Sequence, residues 1–229
     1  MNIFVLSTGR CGTVTFAKAC GHVSNYTVGH ETLGPLRRAL PDHIASEFIK
    51  YPPDHIEVDN RLSWFLGTLD KAYGNDAFYV HLTRRRDDVA RSYLARGWKS
   101  ILFSFVSVML QYYDRAYDLS EEERYQLALL YVDSVNENIR HFLRDKSHQI
   151  EITLENPKAR FRNFWDQIGA SGDLDSALVE WDIRHNQTQQ DRSASWAFPD
   201  EDVHRIKNDL ANCQERLRKA LQEQNERKA

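Results

Sequence analysis

The sequence predicts an α/β domain with a mainly parallel central sheet flanked by helices, elaborated by a helical section near residues 98–146 and a surface helix near 200–228. Three observations predict it. The runs Ile3-Phe4-Val5-Leu6 and Ala77-Phe78-Tyr79-Val80-His81-Leu82 are short and nearly continuous in apolar character, as strands buried on both faces are. Each passes into a turn and then a helical pattern, the alternation that builds parallel strands joined by helical crossovers. The 229 residues, 41% hydrophobic and 28% charged, suit a single domain, 1–229, with a substantial core.

The elements follow in order. After Ile3–Leu6 comes the turn Ser7-Thr8-Gly9-Arg10-Cys11-Gly12 and a helix over Thr13–Cys20, stopped by Gly21. Tyr26-Thr27-Val28 reads as a second strand that delivers Gly29-His30-Glu31. Leu36–Lys50 has helical character and is broken by Pro52-Pro53. His55–Val58 is a third strand ending at Asp59-Asn60, and Leu62–Tyr73 is a helix closed by Gly74-Asn75. The strand at Ala77–Leu82 leads into Thr83-Arg84-Arg85-Arg86, and Asp87 and Asp88 open a helix, where acidic residues suit the positive end of the dipole. Helical pattern runs from about Ser100 to Asp145 with a break near Asp118–Ser120, where Ser120-Glu121-Glu122-Glu123 has the form of a capping box. Ile150–Leu154 is a strand, Asn163–Gly169 a short helix and Asp200–Lys228 a charged helix. The polar stretch Asn186–Ser195 has the composition of a loop, suited to a lid.

Composition narrows the function. A net charge of −3 provides no global basic field, so nucleic acid is not the expected partner. Cys11, Cys20 and Cys213 are an odd, sparse set without metal-ligand spacing, which argues against both a disulfide framework and a zinc site. No signal peptide is recognisable and no apolar run approaches membrane-spanning length; a reducing, cytoplasmic setting is the expectation.

The strand–loop–helix at the N-terminus has the form of a phosphate loop. Amides at a helix start, reinforced by the dipole, favour an oxyanion. Gly9 and Gly12 let the backbone approach closely, Arg10 adds charge and a planar donor fork, and Thr13 and Thr15 add hydroxyls. The nucleoside-triphosphatase form requires Gly-Lys-Ser/Thr, whereas Gly12 is followed here by Thr13-Val14-Thr15. A tight strand–helix turn with a surface arginine fits the same residues. A second motif is Arg84, just past a buried strand, with Ser92 one turn or more into the next helix. Beyond the carboxyl ends of parallel strands both would reach one phosphate; a solvated basic edge with a structural serine is the alternative.

Together the two segments resemble the sulfotransferases that use 3′-phosphoadenosine 5′-phosphosulfate (PAPS). In that family a basic residue followed by Ser/Gly-Gly-Thr holds the 5′-phosphosulfate, matched here by Arg10-Cys11-Gly12-Thr13 with Val14 and Thr15 following. An Arg, a short turn, Asp-Val and Ser-Tyr hold the 3′-phosphate, matched by Arg84, Asp88-Val89 and Ser92-Tyr93. The match is good over residues 3–20 and 78–94, and Glu155-Asn156-Pro157 is a weaker echo of the family's late acidic turn. Cys11 replaces the usual serine or glycine, Val14 a frequent threonine, and Arg86 a common proline. The glycine- and lysine-rich C-terminal loop of the animal cytosolic members is not recognisable; Arg184–Arg192 is the candidate replacement.

The resemblance implies transfer of a sulfuryl group from PAPS to an acceptor hydroxyl, leaving adenosine 3′,5′-bisphosphate, with no metal required. The nucleotide site would comprise Gly9, Arg10, Cys11, Gly12, Thr13, Val14, Thr15, Arg84 and Ser92, with Arg10 also stabilising transferred charge. The acceptor needs a general base. Glu31 is the first candidate, in the position where several members place a catalytic glutamate; His30 beside it is the second and Asp59 the third. His81, inside a strand, reads as structural. Trp64-Phe65, Trp98 and Phe103–Phe105 are either acceptor-pocket or core aromatics. The acceptor class (carbohydrate, lipid, phenol or peptide) and the oligomeric state stay open. A P-loop-type kinase and a non-catalytic nucleotide-binding protein are the alternatives.

Overall fold

The computed structural model describes residues 1–32, 49–96, 101–111 and 118–185. These lie in the first of two compact units, Met1–Thr188; the second, Gln189–Ala229, lies outside the described residues. So do most of the expected helix at Leu36–Lys50, Trp98, the Asn186–Ser195 segment, the far end of Arg184–Arg192 and the helix at Asp200–Lys228.

Five strands form one sheet: β1 (Ile3–Leu6), β2 (Thr27–His30), β3 (His55–Val58), β4 (Phe78–Thr83) and β5 (Gln149–Thr153). The order is β2-β3-β1-β4-β5 and every pairing is parallel, so the expected mainly parallel sheet is parallel throughout. Position explains composition. The three inner strands are buried at every residue, β1 and β4 as nearly apolar runs and β3 with polar residues at alternate positions, whereas the edge strands β2 and β5 expose residues to solvent.

The described helices are α1 (Thr13–Cys20), α2 (Leu66–Tyr73), α3 (Arg86–Ala95), α4 (Ile101–Ser104), α5 (Glu121–Leu143), α6 (Pro157–Gln167) and α7 (Leu174–Val179). On one sheet face Phe78 meets Phe164 of α6, and Phe16 of α1 meets Phe161, Phe164 and Trp181. On the other, Phe4 and Tyr79, paired across β1 and β4, pack on Tyr73 of α2 and Phe142 of α5. Phe4, Phe16, Phe78, Tyr79, Phe161 and Phe164 are buried, and apolar surface removed from water contributes roughly 25 cal/mol per Å². His81 points to the same face, with its Nε2 3.0 Å from Asn136 Oδ1 of α5. Burial lowers its pKa below the ordinary value, keeping the ring neutral, as a structural histidine requires.

Several boundaries differ from expectation for identifiable reasons. The expected helix at Leu62–Tyr73 divides into a 3₁₀ turn, Asn60–Trp64, and α2, because the Asp59 carboxylate accepts the Arg61 amide and caps the turn early. The section after Ser100 contains a π-helical stretch, Phe105–Met109, after α4. The capping box at Ser120 and Glu123 is present and starts α5. The helix expected at Asn163–Gly169 starts six residues earlier, with Pro157 in its first turn, where a missing amide proton costs nothing. Gly21 follows α1 with right-handed φ −59°, not as a left-handed stop; a β-carbon there would lie 3.0 Å from the Lys18 carbonyl oxygen. Among the described residues no helix is long and apolar enough to cross a membrane.

Candidate functional site

Strand order creates a crevice between β1 and β4. The chain leaves β1 toward β2 on one side, and leaves β4 toward β5 on the other. Neighbouring parallel strands whose connections diverge open a cleft at their carboxyl ends, the usual ligand position in such sheets. The Ser7–Gly12 loop and the turn at Arg84-Arg85 flank it.

The loop's shape depends on left-handed backbone. Gly9, Arg10 and Gly12 have φ of 79°, 60° and 90°. A β-carbon at Gly9 would lie 2.5 Å from the Tyr93 hydroxyl, and one at Gly12 2.7 Å from Leu154 Cδ1. Glycine is thus required by space and by conformation at both positions. The loop is anchored from the sheet's helical layer. Ser63 Oγ donates to the Ser7 carbonyl at 3.0 Å, and the hydroxyls of Tyr93 and Tyr131 both donate to the Thr8 carbonyl, the latter at 2.8 Å. Gly12 caps α1 without a side chain, so the first-turn amides at Thr13, Val14 and Thr15 have no intrahelical acceptor, and the dipole adds partial positive charge there.

Three of the expected nucleotide residues converge. Arg10 Nε donates to Ser92 Oγ at 3.0 Å, and Arg84 Nη1 donates to the Arg10 carbonyl at 3.2 Å. Residues from the β1 loop, the β4 turn and α3 thus meet across more than seventy positions of sequence. Arg10 has its pKa lowered, first by burial and then by the charges of Arg96, with Arg84 adding to it. Arg96 and Arg84 thus add positive potential at Arg10. Glu155, after β5, accepts the Arg85 amide at 2.8 Å and steadies the β4 turn, which gives the late acidic position a structural role.

Cys11 faces inward. Its thiol is buried, donates to the Gly9 carbonyl at 3.2 Å and lies 3.1 Å from Thr8 Oγ1. Burial pushes the thiol up from 9.0 to about 11, so it is neutral at physiological pH.

The three base candidates occupy different environments. His30 and Glu31 are exposed at the carboxyl end of β2, and Glu31 is left-handed with φ 56°. Two strand spacings, about 10 Å, separate β2 from β1, with β3 between them. Asp59 is different: its side chain is 0% exposed, and both its oxygens are held by the Arg61 guanidinium, at 2.8 Å to Nε and 2.7 Å to Nη2. A carboxylate buried and forked in this way organises its neighbours; it has no open path to an acceptor proton.

Arg61, Asn60, Ser63 and Tyr131 surround the loop and the β3 end without having stood out in the sequence. One signal was legible: polar residues at alternate positions of a buried strand, His55, Glu57 and Asp59, which demand buried partners. A groove of about 500 Å³ lined by Trp64, Asp70, His141 and Lys146 runs between α2 and α5, apart from the loop residues. Trp64, 36% exposed, is its aromatic wall, whereas Phe105 belongs to the core. Among the described residues no group of three or more His, Cys, Asp or Glu is placed to hold a metal ion. No protein-family model matches the chain, and no curated protein matches it significantly.

Proposed function

We propose that the chain is a sulfotransferase that binds PAPS in the β1–β4 crevice and transfers its sulfuryl group to an acceptor hydroxyl. The observation that carries the proposal is the convergence of Arg10, Arg84 and Ser92 beside a left-handed glycine loop and a helix N-terminus. In the proposal each motif supplies one anion contact to the same ligand, and the hydrogen bonds between them keep the two contacts adjacent. A nucleoside phosphorylated at both the 3′ and the 5′ position of its ribose would use both motifs, whereas a single phosphate chain would use one. The loop also lacks the lysine a triphosphatase uses.

The donor supplies a sulfuryl group, whose sulfur–oxygen bond to the 5′-phosphate breaks as the bond to the acceptor oxygen forms. Arg10 and the first-turn amides of α1 stabilise the charge that develops on the leaving phosphate and the transferring group. Arg84 and Ser92 fix the nucleotide through its 3′-phosphate, so that reaction is in line with the acceptor. Glu31 takes the acceptor's hydroxyl proton, with His30 the next candidate. The proposal places the enzyme in the cytoplasm.

Thermal melting with adenosine 3′,5′-bisphosphate, ATP–magnesium and RNA tests the assignment, because a ligand of the native state raises stability. Selective stabilisation by the bisphosphate supports it, selective stabilisation by ATP–magnesium favours a kinase, and stabilisation by neither nucleotide overturns it. Glu31→Gln should keep bisphosphate binding and lose turnover of ³⁵S-labelled PAPS with hydroxyl probes (a phenol, a methyl pyranoside, a long-chain alcohol). Retained turnover removes Glu31 as the base. Retained binding with no turnover by the unaltered chain points to a non-catalytic binding protein.

A further inference from the structure

Buried polar side chains on an inner strand are costly unless every one is satisfied, so their retention on β3 calls for a purpose. His55, Glu57 and Asp59 alternate with Ile56 and Val58, which puts all three on one face. The Glu57 and Asp59 side chains are both 0% exposed. Glu57 holds Thr32 directly, and Asp59 reaches Glu31 through Arg61. Glu57 accepts from the Thr32 amide at 3.0 Å through Oε1 and from the Thr32 hydroxyl at 2.6 Å through Oε2. Asp59 holds the Arg61 guanidinium, whose Nη2 donates to the Glu31 carbonyl at 2.6 Å. The Glu31 amide donates to the Val58 carbonyl at 3.1 Å.

Glu31 itself is in the left-handed region, φ 56°, which a residue with a β-carbon occupies only where its surroundings compel it. Here they do: amide, carbonyl and the following residue are each tied to β3. Room for the arrangement comes from Gly29, where a β-carbon would lie 2.5 Å from Glu57 Oε2. His55 completes the set, with Nε2 3.0 Å from Glu57 Oε2 and Nδ1 2.8 Å from Thr27 Oγ1.

We infer that the buried polar face of β3 is a positioning device that aims the Glu31 side chain, with Arg61 as its principal positioning residue and Glu57 as the second support. The inference rests on the proposal that Glu31 receives the acceptor proton. In this arrangement Arg61 and Asp59 act through the Glu31 backbone. Arginine is needed because its fork grips Asp59 with Nε and Nη2 and still reaches the Glu31 carbonyl, which a single ammonium cannot do.

Arg61→Lys in the full chain tests this with two readouts. For ³⁵S-labelled PAPS and the hydroxyl probe that the unaltered chain uses best, kcat should fall about 10- to 100-fold, the scale of a misplaced catalytic group. The KM for PAPS should stay within about twofold, since the nucleotide residues lie elsewhere. The second readout needs no activity. Arg61→Lys should lower Tm in the Glu31 chain, and that loss should shrink in a Glu31→Gly background, because glycine holds the left-handed conformation unsupported. An unchanged kcat, or equal Tm losses in the two backgrounds, overturns the positioning role. If the unaltered chain transfers to no probe, the base assignment fails on its own, and the Tm comparison still decides whether β3 clamps Glu31.

Discussion

Gly12→Ala tests the loop geometry on which the nucleotide site depends. Gly12 has φ 90°, where an L residue costs about 1 to 2 kcal/mol relative to right-handed backbone. The new methyl would start 2.7 Å from Leu154 Cδ1. Leu154 must then leave its rotamer well, for about 0.5 to 1.5 kcal/mol. Against this, alanine loses less chain entropy on folding, worth about 0.4 to 1 kcal/mol. The net loss is about 0.5 to 3 kcal/mol, or about 1 to 12 °C in Tm for a chain of this size. Circular dichroism melts measure it directly. Repeating the substitution in Leu154→Ala separates the two causes: the steric part should vanish and the backbone part remain. An unchanged or raised Tm for Gly12→Ala would refute the left-handed loop.

Two further outcomes follow from buried groups. Tyr131→Phe should cost about 1 kcal/mol, because the Thr8 carbonyl keeps Tyr93 as a donor; adding Tyr93→Phe should cost more than the sum of the single changes, since the carbonyl then loses both. Denaturant melts of the four chains check this, and additivity contradicts it. Cys11, raised from 9.0 to about 11, binds its proton more tightly in the folded chain than in the unfolded one. Its contribution is therefore complete below pH 9 and is lost as pH rises toward 11, a fall of about 2 to 3 kcal/mol at most. Cys11→Ser should flatten that alkaline loss in denaturant titrations; an identical slope contradicts the assignment.

How much was legible depended on whether the signal was local. β1 and α1 are readable to the residue, because an apolar run followed by a turn and a helix is a local pattern. The turn between β1 and α1 is readable for the same reason, since its glycines and Arg10 adjoin one another. α6 was misplaced because Pro157 was taken as part of a turn, although proline suits a helix's first turn equally well. The division of Leu62–Tyr73 depended on a cap from Asp59, a side chain read as a possible base. The same residue shows why the site was only partly readable. Candidate acids can be counted in a sequence, but burial decides their role, and the Arg61 bridge from Asp59 to the Glu31 carbonyl joins residues brought together only by strand order.

The central claim is that one ligand carries two anionic groups, one for the Ser7–Thr15 loop and one for Arg84 with Ser92. Calorimetric titration of the full chain with adenosine 3′,5′-bisphosphate and with adenosine 5′-monophosphate tests it most directly. A charge-assisted contact of about 1.5 to 3 kcal/mol predicts that the bisphosphate binds about 10- to 150-fold more tightly. Arg84→Ala should collapse that preference while leaving monophosphate affinity nearly intact. Equal affinities in the unaltered chain, or a preference that survives Arg84→Ala, would contradict the account.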